Sequence, residues 1–404
     1  MKLNLMVLVI CFLSGSNIFA KTADRYGEWK THGEEEFFSD SEANFKAVMK
    51  AILEGYVDKN LTQDDLYRAA TAGMLASLNN GDEAWNKLIS PSEFKEMQTE
   101  LSGKVTGIGA EMKFDDKTGY AVILRTISDS VSEKAGLKVD DQILSVDGKK
   151  FKGKEFREMI AAIRGETGKS VSLKVLRDDK ILTFNLKRET VSWVPAELEV
   201  VDKKTAILTI GFFNEETPKK VEKQIENVNK KEIKNLIVDI RGNSGGGFDQ
   251  AVKTSELFVP KGAVIVKTKD RSGKVEAVKS SRGLLNSDVK IFVLTDKETF
   301  SGAEFFAAAL RESRGAKIVG ERTFGKWSVQ RLETLPNHFA YKFTVKEFQS
   351  PSGNSFQGKG LKPDVEVSTP AGTVAKELRL KHDIQSRLEV DPQLNAAIEL
   401  GRVN

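Results

Sequence analysis

The stretch LIVDIRGNSGGG, at residues 236–247, decides the fold class of this chain. Its first five residues are apolar apart from one aspartate, which is typical of a strand covered on both faces. The three glycines of 245–247 end that strand in a turn, and a helical pattern follows over Gln250–Phe258. A covered strand followed by a helix is the repeating unit of a parallel α/β sheet.

The same alternation continues on both sides of this stretch. Strand and helix patterns follow one another as strand Ala206–Ile210, helix Pro218–Val228, strand 291–295 (IFVLT), helix Ser301–Glu312 and strand Lys317–Val319. They predict an α/β core with parallel strand pairing at 191–370. In the remaining tail, 371–404, Asp391 followed by Pro392 supplies the N-cap and first residue of a last helix.

Two regions of different character precede the core. Residues 101–190 contain short β-rich runs separated by Gly and Asp turns, with one helical segment at Glu155–Ile163, and predict a compact, mostly β module. Residues 21–100 begin with a polar, acidic lead-in. Apolar positions then recur at helical spacing from Ser41 to Leu78, which predicts a small helical region.

The first 20 residues have the pattern of a secretory signal. Lys2 precedes an apolar run at 3–13, and small and polar residues lead to Ala20, where we place the cleavage site. The run is shorter than the roughly 20 apolar residues of a bilayer span, and an uncleaved anchor is the alternative. Cys11 is the only cysteine, so the mature chain would have no disulfide. We predict export across the inner membrane to the periplasm or cell envelope of a bacterium.

Composition argues against several other classes of function. The 62 basic and 58 acidic residues are interspersed, so no dedicated nucleic-acid surface is predicted. His32 and His382 lie far from the core strands, which leaves poor material for a Ser–His–Asp triad. No HExxH motif is present and no Asp/His cluster has the spacing of metal ligands, so no metal or cofactor is predicted. GETGKS at 165–170 lacks the first glycine of a phosphate-binding loop, because position 163 is Ile.

Three motifs at the ends of predicted strands could carry chemistry. The Gly-rich turn 241–247 presents backbone N–H groups at a helix N-terminus, which suits an anion, and a flexible turn is the alternative. Ser301 with Glu304 three residues later forms a capping box, and local sequence alone favours this structural role. The same position would also place a nucleophilic serine at the positive end of a helix dipole.

The third motif is RTFGKWSVQ at 322–330, in which Lys326 lies between apolar and aromatic neighbours. Lys326 either extends past these rings towards water or is desolvated until its amine is neutral. The second state requires the pKa to fall from about 10.4 to about 7. A neutral amine can take the proton of a serine and activate it.

Together the three motifs resemble the C-terminal processing, or tail-specific, protease family, over about residues 41–370. In that family a serine is followed by small residues and a glutamate, and a lysine in a TFGKGxxQ motif follows 25 residues later. Ser301 and Lys326 have this spacing. The resemblance implies that Ser301 is the nucleophile, Lys326 the general base and Gln330 the residue that orients the lysine.

The resemblance also implies a crotonase-like core and further site residues. Glu312 occupies the place where other members carry a supporting aspartate. The N–H of Gly302 and an N–H of the Gly245–Gly246 turn would form the oxyanion hole. Two departures stand close to these motifs: Ala303 replaces a frequent second serine, and Trp327 replaces the usual glycine after the lysine. We expect Trp327 to narrow the cleft or to shield the amine.

The β-rich module is similar to the family's PDZ domain. This implies that Gly107, Ile108 and Gly109 hold a peptide carboxylate through backbone N–H groups. The segments 132–137 and 143–148 match the next signatures of that domain, although Asp140 stands where many PDZ domains have glycine. The implied partners are proteins with apolar C-terminal tails, together with a second copy of the chain or a regulatory adaptor.

The sequence therefore predicts a secreted serine endopeptidase that cleaves proteins near their C-termini. Its fold is an α/β crotonase-like protease core with an inserted β-rich PDZ domain and an N-terminal helical region. One alternative is a catalytically inactive scaffold that captures tails through the PDZ domain. A second alternative is a protease that uses another base, such as His338.

Overall fold

The computed structural model describes residues 41–79, 85–127, 129–151, 156–192, 196–369 and 384–403. The predicted signal segment 1–20, the lead-in with His32, and His382 lie outside these residues. Within the described part, no helix combines the length and apolar character needed to cross a membrane. The chain divides into two compact units, one of residues up to 94 with 330–344 and one of residues 95–329 with 345–404.

The described residues of the first unit include two helices and a short strand near its N-terminal end. Helix α1 spans Ser41–Gly55 and helix α2 spans Gln63–Ala76. Strand β1 (Lys87–Ile89) pairs antiparallel with residues 340–342. Thr62 starts α2 in a capping box with Asp65. The helices agree with the predicted periodicity, but most of the apolar side chains of α1 are exposed and only Met49 is buried.

The β-rich module belongs to the second unit. Its strands are β2 (Lys104–Gly107), β3 (Ala110–Asp115), β4 (Tyr120–Thr126), β5 (Gln142–Val146), β6 (Lys149–Lys150), β7 (Ser170–Arg177), β8 (Lys180–Lys187) and β9 (Glu189–Ser192). Helix α3 (Pro91–Ser102) leads into it, and it contains helices α4 (Val131–Lys134) and α5 (Phe156–Ile163). The antiparallel sheet has the order β3-β4-β5-β7-β8, and Ile123, Ile143 and Leu173 are fully buried at its centre.

The α/β core also belongs to the second unit. Its strands are β10 (Ala196–Val200), β11 (Thr205–Ile210), β12 (Asn235–Asp239), β13 (Val264–Asp270), β14 (Val275–Lys279), β15 (Lys290–Thr295), β16 (Lys317–Gly320), β17 (Ser328–Thr334), β18 (Ala340–Gln349) and β19 (Val365–Glu366). Its helices are α6 (Thr217–Lys230), α7 (Phe248–Ser255), α8 (Gly302–Arg314), α9 (Ile384–Val390) and α10 (Pro392–Val403). Strands β17 and β18 continue into the first unit.

The central sheet of the core has the order β10-β11-β12-β15-β16-β19. All neighbours pair in parallel except β10, which is antiparallel to β11 at one edge. The predicted parallel pairing is therefore confirmed. Alternation along β12 places Leu236 and Val238 in the cluster with α8, and Ile237 in the cluster with Leu394 of α10. Strand β12 is covered on both faces, as its apolar sequence predicted.

Candidate active site

Ser301 and Lys326 are brought together at one edge of the central sheet. Strands β15 and β16 are parallel neighbours, so the chain leaves both at the same edge. Ser301 lies in the turn between β15 and α8, and Lys326 lies in the segment after β16. The Lys326 Nζ donates to the Ser301 Oγ at 3.3 Å. Lys326 is only 7% exposed, so its amine is largely shielded from water.

The backbone of Ser301 is held in a conformation that few residues other than glycine adopt. Its φ is 59° and its ψ is −121° at the N-cap of α8. Such strain persists only where the surroundings impose it, and it clusters at functional sites. A serine on a sharp turn from strand to helix presents its Oγ clear of the sheet. The backbone geometry suits a nucleophile as well as a cap.

Glu304 ties the serine turn to the lysine segment. Its fully buried carboxylate accepts four hydrogen bonds. The Oε2 accepts from the N–H groups of Ser301 at 2.9 Å and Lys326 at 2.8 Å. The Oε1 accepts from the Thr323 Oγ1 at 2.5 Å and the Gly325 N–H at 2.8 Å. Burial raises the pKa of Glu304 above its usual range, and these hydrogen bonds oppose the rise.

The sequence identified Glu304 only as the partner of Ser301 in a capping box. The half of this capping box in which the glutamate carboxylate accepts the N–H of the cap residue is present between Glu304 and Ser301. Its contacts to the segment 323–326 link residues about twenty positions apart, and no local pattern indicates them. The only available signal was a glutamate in an otherwise apolar helix start, FSGAEFFAAAL at 300–310. A carboxylate there must find buried donors.

The glycine turn after β12 packs against the serine turn. A Cβ on Gly245 would lie 2.9 Å from the Gly302 nitrogen and 2.9 Å from the Ser301 Cβ. A Cβ on Gly246, whose φ is 132°, would lie 2.2 Å from the Phe213 carbonyl oxygen. Glycine is therefore required at both positions. The Gly245–Gly246 turn thus lies next to Gly302, which is the arrangement that the predicted oxyanion hole requires.

The two N–H groups of the Gly245–Gly246 turn, one of which is predicted to bind the oxyanion, differ in availability. The Gly245 N–H donates to the Asn243 Oδ1 at 2.8 Å and is already occupied, which leaves the Gly246 N–H as the candidate. The N–H groups of Gly246 and Gly302 have no acceptor among the described residues. These two groups are the ones that can receive an anion.

Asn243 is a site residue that the sequence did not single out. Its side chain is fully buried. Besides accepting the Gly245 N–H, it donates through Nδ2 to the Ile210 carbonyl at 2.8 Å. Its own carbonyl accepts the Phe300 N–H at 3.1 Å. One asparagine thus joins the end of β11, the glycine turn and the residue before Ser301.

The structure does not bring Glu312 to the Ser301–Lys326 pair. Glu312 lies eleven residues further along α8, which corresponds to about 16 Å of helix. Its carboxylate accepts the Ser352 N–H at 2.7 Å. The alignment with a supporting aspartate therefore does not place a carboxylate at the dyad, because the helix points away from the site.

Two further predicted residues lie in the first unit. Gln330 donates through Nε2 to the Thr344 Oγ1 at 3.0 Å, and its orienting role stays a prediction. His338 lies in the turn between β17 and β18, and its backbone N–H donates to the Leu335 carbonyl at 3.1 Å. Lys326 is thus the titratable group with a described hydrogen bond to the Ser301 hydroxyl.

Trp327 does not line an open cleft. Its indole is fully buried and packs edge-on against Phe356, with the ring centroids 4.9 Å apart. Its backbone N–H donates to the Gln357 Oε1 at 2.6 Å. The bulk that replaces the family's glycine therefore fills part of the hydrophobic core. The expectation that it narrows the cleft is wrong.

In the predicted carboxylate-binding loop of the β-rich module, the backbone carbonyls of Ile108 and Gly109 accept hydrogen bonds from other residues of the module. The Ile108 carbonyl accepts the Ser132 N–H at 3.1 Å. The Gly109 carbonyl accepts from the Ile127 N–H at 2.8 Å and the Ser132 Oγ at 2.7 Å. In the described chain, the N–H groups of Ile108 and Gly109 have no acceptor. A loop with fixed carbonyls and open amides suits a carboxylate.

A metal site has no support in the described ranges, where no group of three or more His, Cys, Asp or Glu residues has suitable geometry. The groups that the structure places at this edge of the sheet are a serine hydroxyl, an amine and two open backbone amides. This set can activate a hydroxyl and hold an oxyanion, which is what acyl transfer needs.

Comparisons with known proteins indicate a serine-type protease. Residues 204–367 match peptidase family S41, and residues 106–187 match the PDZ domain. The carboxy-terminal processing protease CtpA of Bacillus subtilis (strain 168) is 33% identical over 337 residues, which cover 82% of this chain and 71% of that protein. A "Probable CtpA-like serine protease" of Staphylococcus aureus (strain bovine RF122 / ET3-1) is 30% identical over 325 residues, with 80% and 64% covered.

The same relationship appears at the level of the fold. A solved structure from Bacteroides fragilis NCTC 9343, named as an S41 protease, superposes with a TM-score of 0.56 at 16% sequence identity. The superposition covers 81% of this chain and 89% of that one. At this identity the likeness supports the shared architecture alone.

Proposed function

This chain belongs to peptidase family S41 and carries a PDZ domain, and from that premise we propose that it cleaves proteins near their C-termini with a Ser301–Lys326 dyad. The observation that carries the proposal is the contact of the Lys326 amine with the Ser301 hydroxyl in a largely buried site. The relatives are bacterial, and one is named a carboxy-terminal processing protease and the other a "Probable CtpA-like serine protease".

In the proposed reaction, the neutral Lys326 amine takes the Ser301 hydroxyl proton as the Oγ attacks the scissile carbonyl carbon. The N–H groups of Gly302 and Gly246 hold the oxyanion. Lys326 then returns the proton to the leaving amine, and an ester on Ser301 remains. Water, deprotonated by Lys326, attacks that ester, and the proton passes back to the Ser301 oxygen as the acid product leaves.

Replacing Glu304 with glutamine is expected to lower kcat/KM by about 100-fold. Glutamine keeps one oxygen but puts an NH₂ group against two N–H donors, so the Ser301 and Lys326 segments lose their common acceptor. We also expect the free energy of unfolding to fall by about 2–4 kcal/mol. Peptide hydrolysis and denaturant unfolding measure the two effects.

Glu312→Gln is the matched control for this change, because it alters the same residue type at the far end of α8, where the carboxylate contacts Ser352. Its kcat/KM is expected to stay within about twofold of the wild type. Equal losses in the two variants would contradict the special role of Glu304.

We propose that the PDZ loop binds the free C-terminus of the substrate. The open N–H groups of Ile108 and Gly109 would hold the terminal carboxylate, and the tail would add as a strand beside β3. A Cβ on Gly109, whose φ is 73°, would lie 2.3 Å from the Ser130 Cβ. Gly109→Ala therefore disturbs the loop while leaving the dyad intact.

The test compares two unfolded reporter proteins that differ only in their last three residues, apolar in one and acidic in the other. We expect the wild type to cleave the apolar-tailed reporter at least about tenfold faster at low substrate, mainly through KM. Gly109→Ala should remove that preference, and Ser301→Ala should cleave neither reporter. Equal cleavage of both by the wild type would rule out tail recognition.

The remaining proposals concern architecture and location. We assign residues 21–100 to a helical region, 101–190 to the PDZ domain, 191–370 to a crotonase-like protease core and 371–404 to a C-terminal tail. Residues 1–20 act as a signal for export to the periplasm or envelope. The signal pattern of the sequence and the bacterial origin of the relatives support this location.

A further inference from the structure

Arg241 joins the glycine turn to the last helix of the chain. It follows β12 by two residues, precedes Gly245 by four, and is 1% exposed. Its Nε donates to the Asp239 Oδ1 at 3.0 Å and its Nη2 to the Asp239 Oδ2 at 2.8 Å. Nη2 also donates to the Asp391 Oδ2 at 2.8 Å, and Nη1 to the Asp391 Oδ1 at 2.9 Å. The Gln393 Oε1 accepts from Nη1 at 3.0 Å.

These contacts use all five N–H groups of the guanidinium. The two carboxylates bind it in paired fashion, which fixes its plane as well as its position. The Asp239 and Asp391 side chains are themselves buried. A buried arginine whose N–H groups are all hydrogen-bonded has one low-energy position, because any shift breaks several charge-assisted hydrogen bonds at once.

The two C-terminal partners of Arg241 are also held in place by contacts that do not involve Arg241. The Asp391 Oδ1 accepts the Leu394 N–H at 3.0 Å, so the residue that holds Arg241 also caps α10. Gln393 donates through Nε2 to the Val367 carbonyl at 2.8 Å. Helix α10 packs on the sheet through Leu394 and Ile398. The two C-terminal residues that hold Arg241, Asp391 and Gln393, lie beyond residue 367, where the match to peptidase family S41 ends.

Arg241 is separated by one residue from Asn243, whose side chain holds the Gly245 N–H and whose carbonyl holds the Phe300 N–H. A displacement of Arg241 would therefore move Asn243. Through Asn243 it would also move the turn that carries the Gly246 amide and the backbone next to Ser301. We propose that Asp391, acting through Arg241, is a positioning residue that holds the oxyanion turn in register with Ser301. The inference rests on the proposed peptidase function.

The test is Asp391→Asn in the full chain. Asparagine keeps an oxygen that caps α10 but turns an NH₂ donor towards the guanidinium. We expect kcat on a peptide substrate to fall at least about tenfold with KM within about twofold, because the oxyanion is bound only during reaction. Binding of a peptide aldehyde, whose adduct with Ser301 carries an oxyanion, should weaken by the same factor.

Ile398→Ala is the matched control, because it leaves a cavity under the same helix without touching Arg241. We expect it to lower the melting temperature while kcat stays within about twofold. Equal kcat losses in the two variants would overturn the proposal, since they would reflect loosening of α10 alone. If Asp391→Asn does not fold, Gln393→Met removes one Arg241 acceptor together with the hydrogen bond to the Val367 carbonyl. We expect it to lower kcat about threefold or more without a matching loss in Ile398→Ala.

Amide hydrogen exchange provides a readout that does not depend on proteolysis. Peptides that cover 241–247 should exchange faster in Asp391→Asn than in the wild type, and at the wild-type rate in Ile398→Ala. Unchanged exchange in Asp391→Asn would show that the turn does not depend on the helix. If the wild type hydrolyses no peptide, the peptidase proposal fails, and if Ser301→Ala keeps wild-type activity, the role of Ser301 fails. In either case the exchange data still decide whether Asp391 holds the turn.

Discussion

Replacing Ser301 with alanine is expected to lower kcat/KM for peptide hydrolysis by about 10⁶-fold. The change removes the atom that forms the ester and leaves the two oxyanion amides in place. The described contact of the hydroxyl is the one from Lys326, so little folding stability depends on it. Alanine takes the same strained backbone as serine, and the turn should therefore keep its shape.

The measurement is kcat/KM on an apolar-tailed substrate, with substrate affinity followed by fluorescence anisotropy. The Ser301→Ala protein should still bind the tail with near wild-type affinity. Ser313→Ala is the control, because Ser313 lies on the same helix and its hydroxyl donates to the Val264 carbonyl at 2.6 Å. Its activity should stay within about threefold of the wild type. Retention of more than a tenth of the activity in Ser301→Ala would assign the reaction to another nucleophile.

Replacing Lys326 with methionine is expected to lower kcat/KM by about 10⁴-fold, the upper end of general base effects. Methionine has nearly the same length and keeps the backbone N–H that donates to Glu304, so the loss would report the amine alone. Lys326→Arg should be equally inactive, because a guanidinium stays protonated and cannot accept the serine proton. An active arginine variant would show that a positive charge suffices.

The pH dependence follows from the same role. Only the neutral amine can take the serine proton, so kcat/KM of the wild type should rise with pH and then level off. His338→Ala is the discriminating variant, since it removes the alternative base and should leave the profile unchanged. A profile that disappears in His338→Ala and persists in Lys326→Met would transfer the role to the histidine.

The sequence predicted the strands that position this site well, because strands covered on both faces of a parallel sheet have apolar sequences that are easy to recognise. Strands β12, β15 and β16 were recognisable as apolar runs, and successive loops in such a sheet leave at the same edge. The expectation that the two side chains meet came from the resemblance to the protease family, in which a serine and a lysine have the spacing of Ser301 and Lys326. The contact of 3.3 Å agrees with that expectation.

The polar support of the site could not be predicted in the same way. The Arg241–Asp391 ion pair joins residues 150 positions apart, and nothing in either local sequence indicates the other. The Asn243 side chain accepts the Gly245 N–H in an Asx-type turn. The sequence of this glycine-rich motif does not indicate which of its N–H groups is left without such a partner. Glu312 lies at the far end of α8 from Ser301, although the resemblance to the family implied a supporting role for it.

The measurement that tests the Ser301–Lys326 dyad most directly is labelling with a serine-reactive fluorophosphonate, followed by mass spectrometry of the digested protein. The account predicts one adduct, on the peptide that contains Ser301, at a rate that rises with pH and falls at least about 1,000-fold in Lys326→Met. An adduct on a different residue, or an unchanged labelling rate in Lys326→Met, would contradict it.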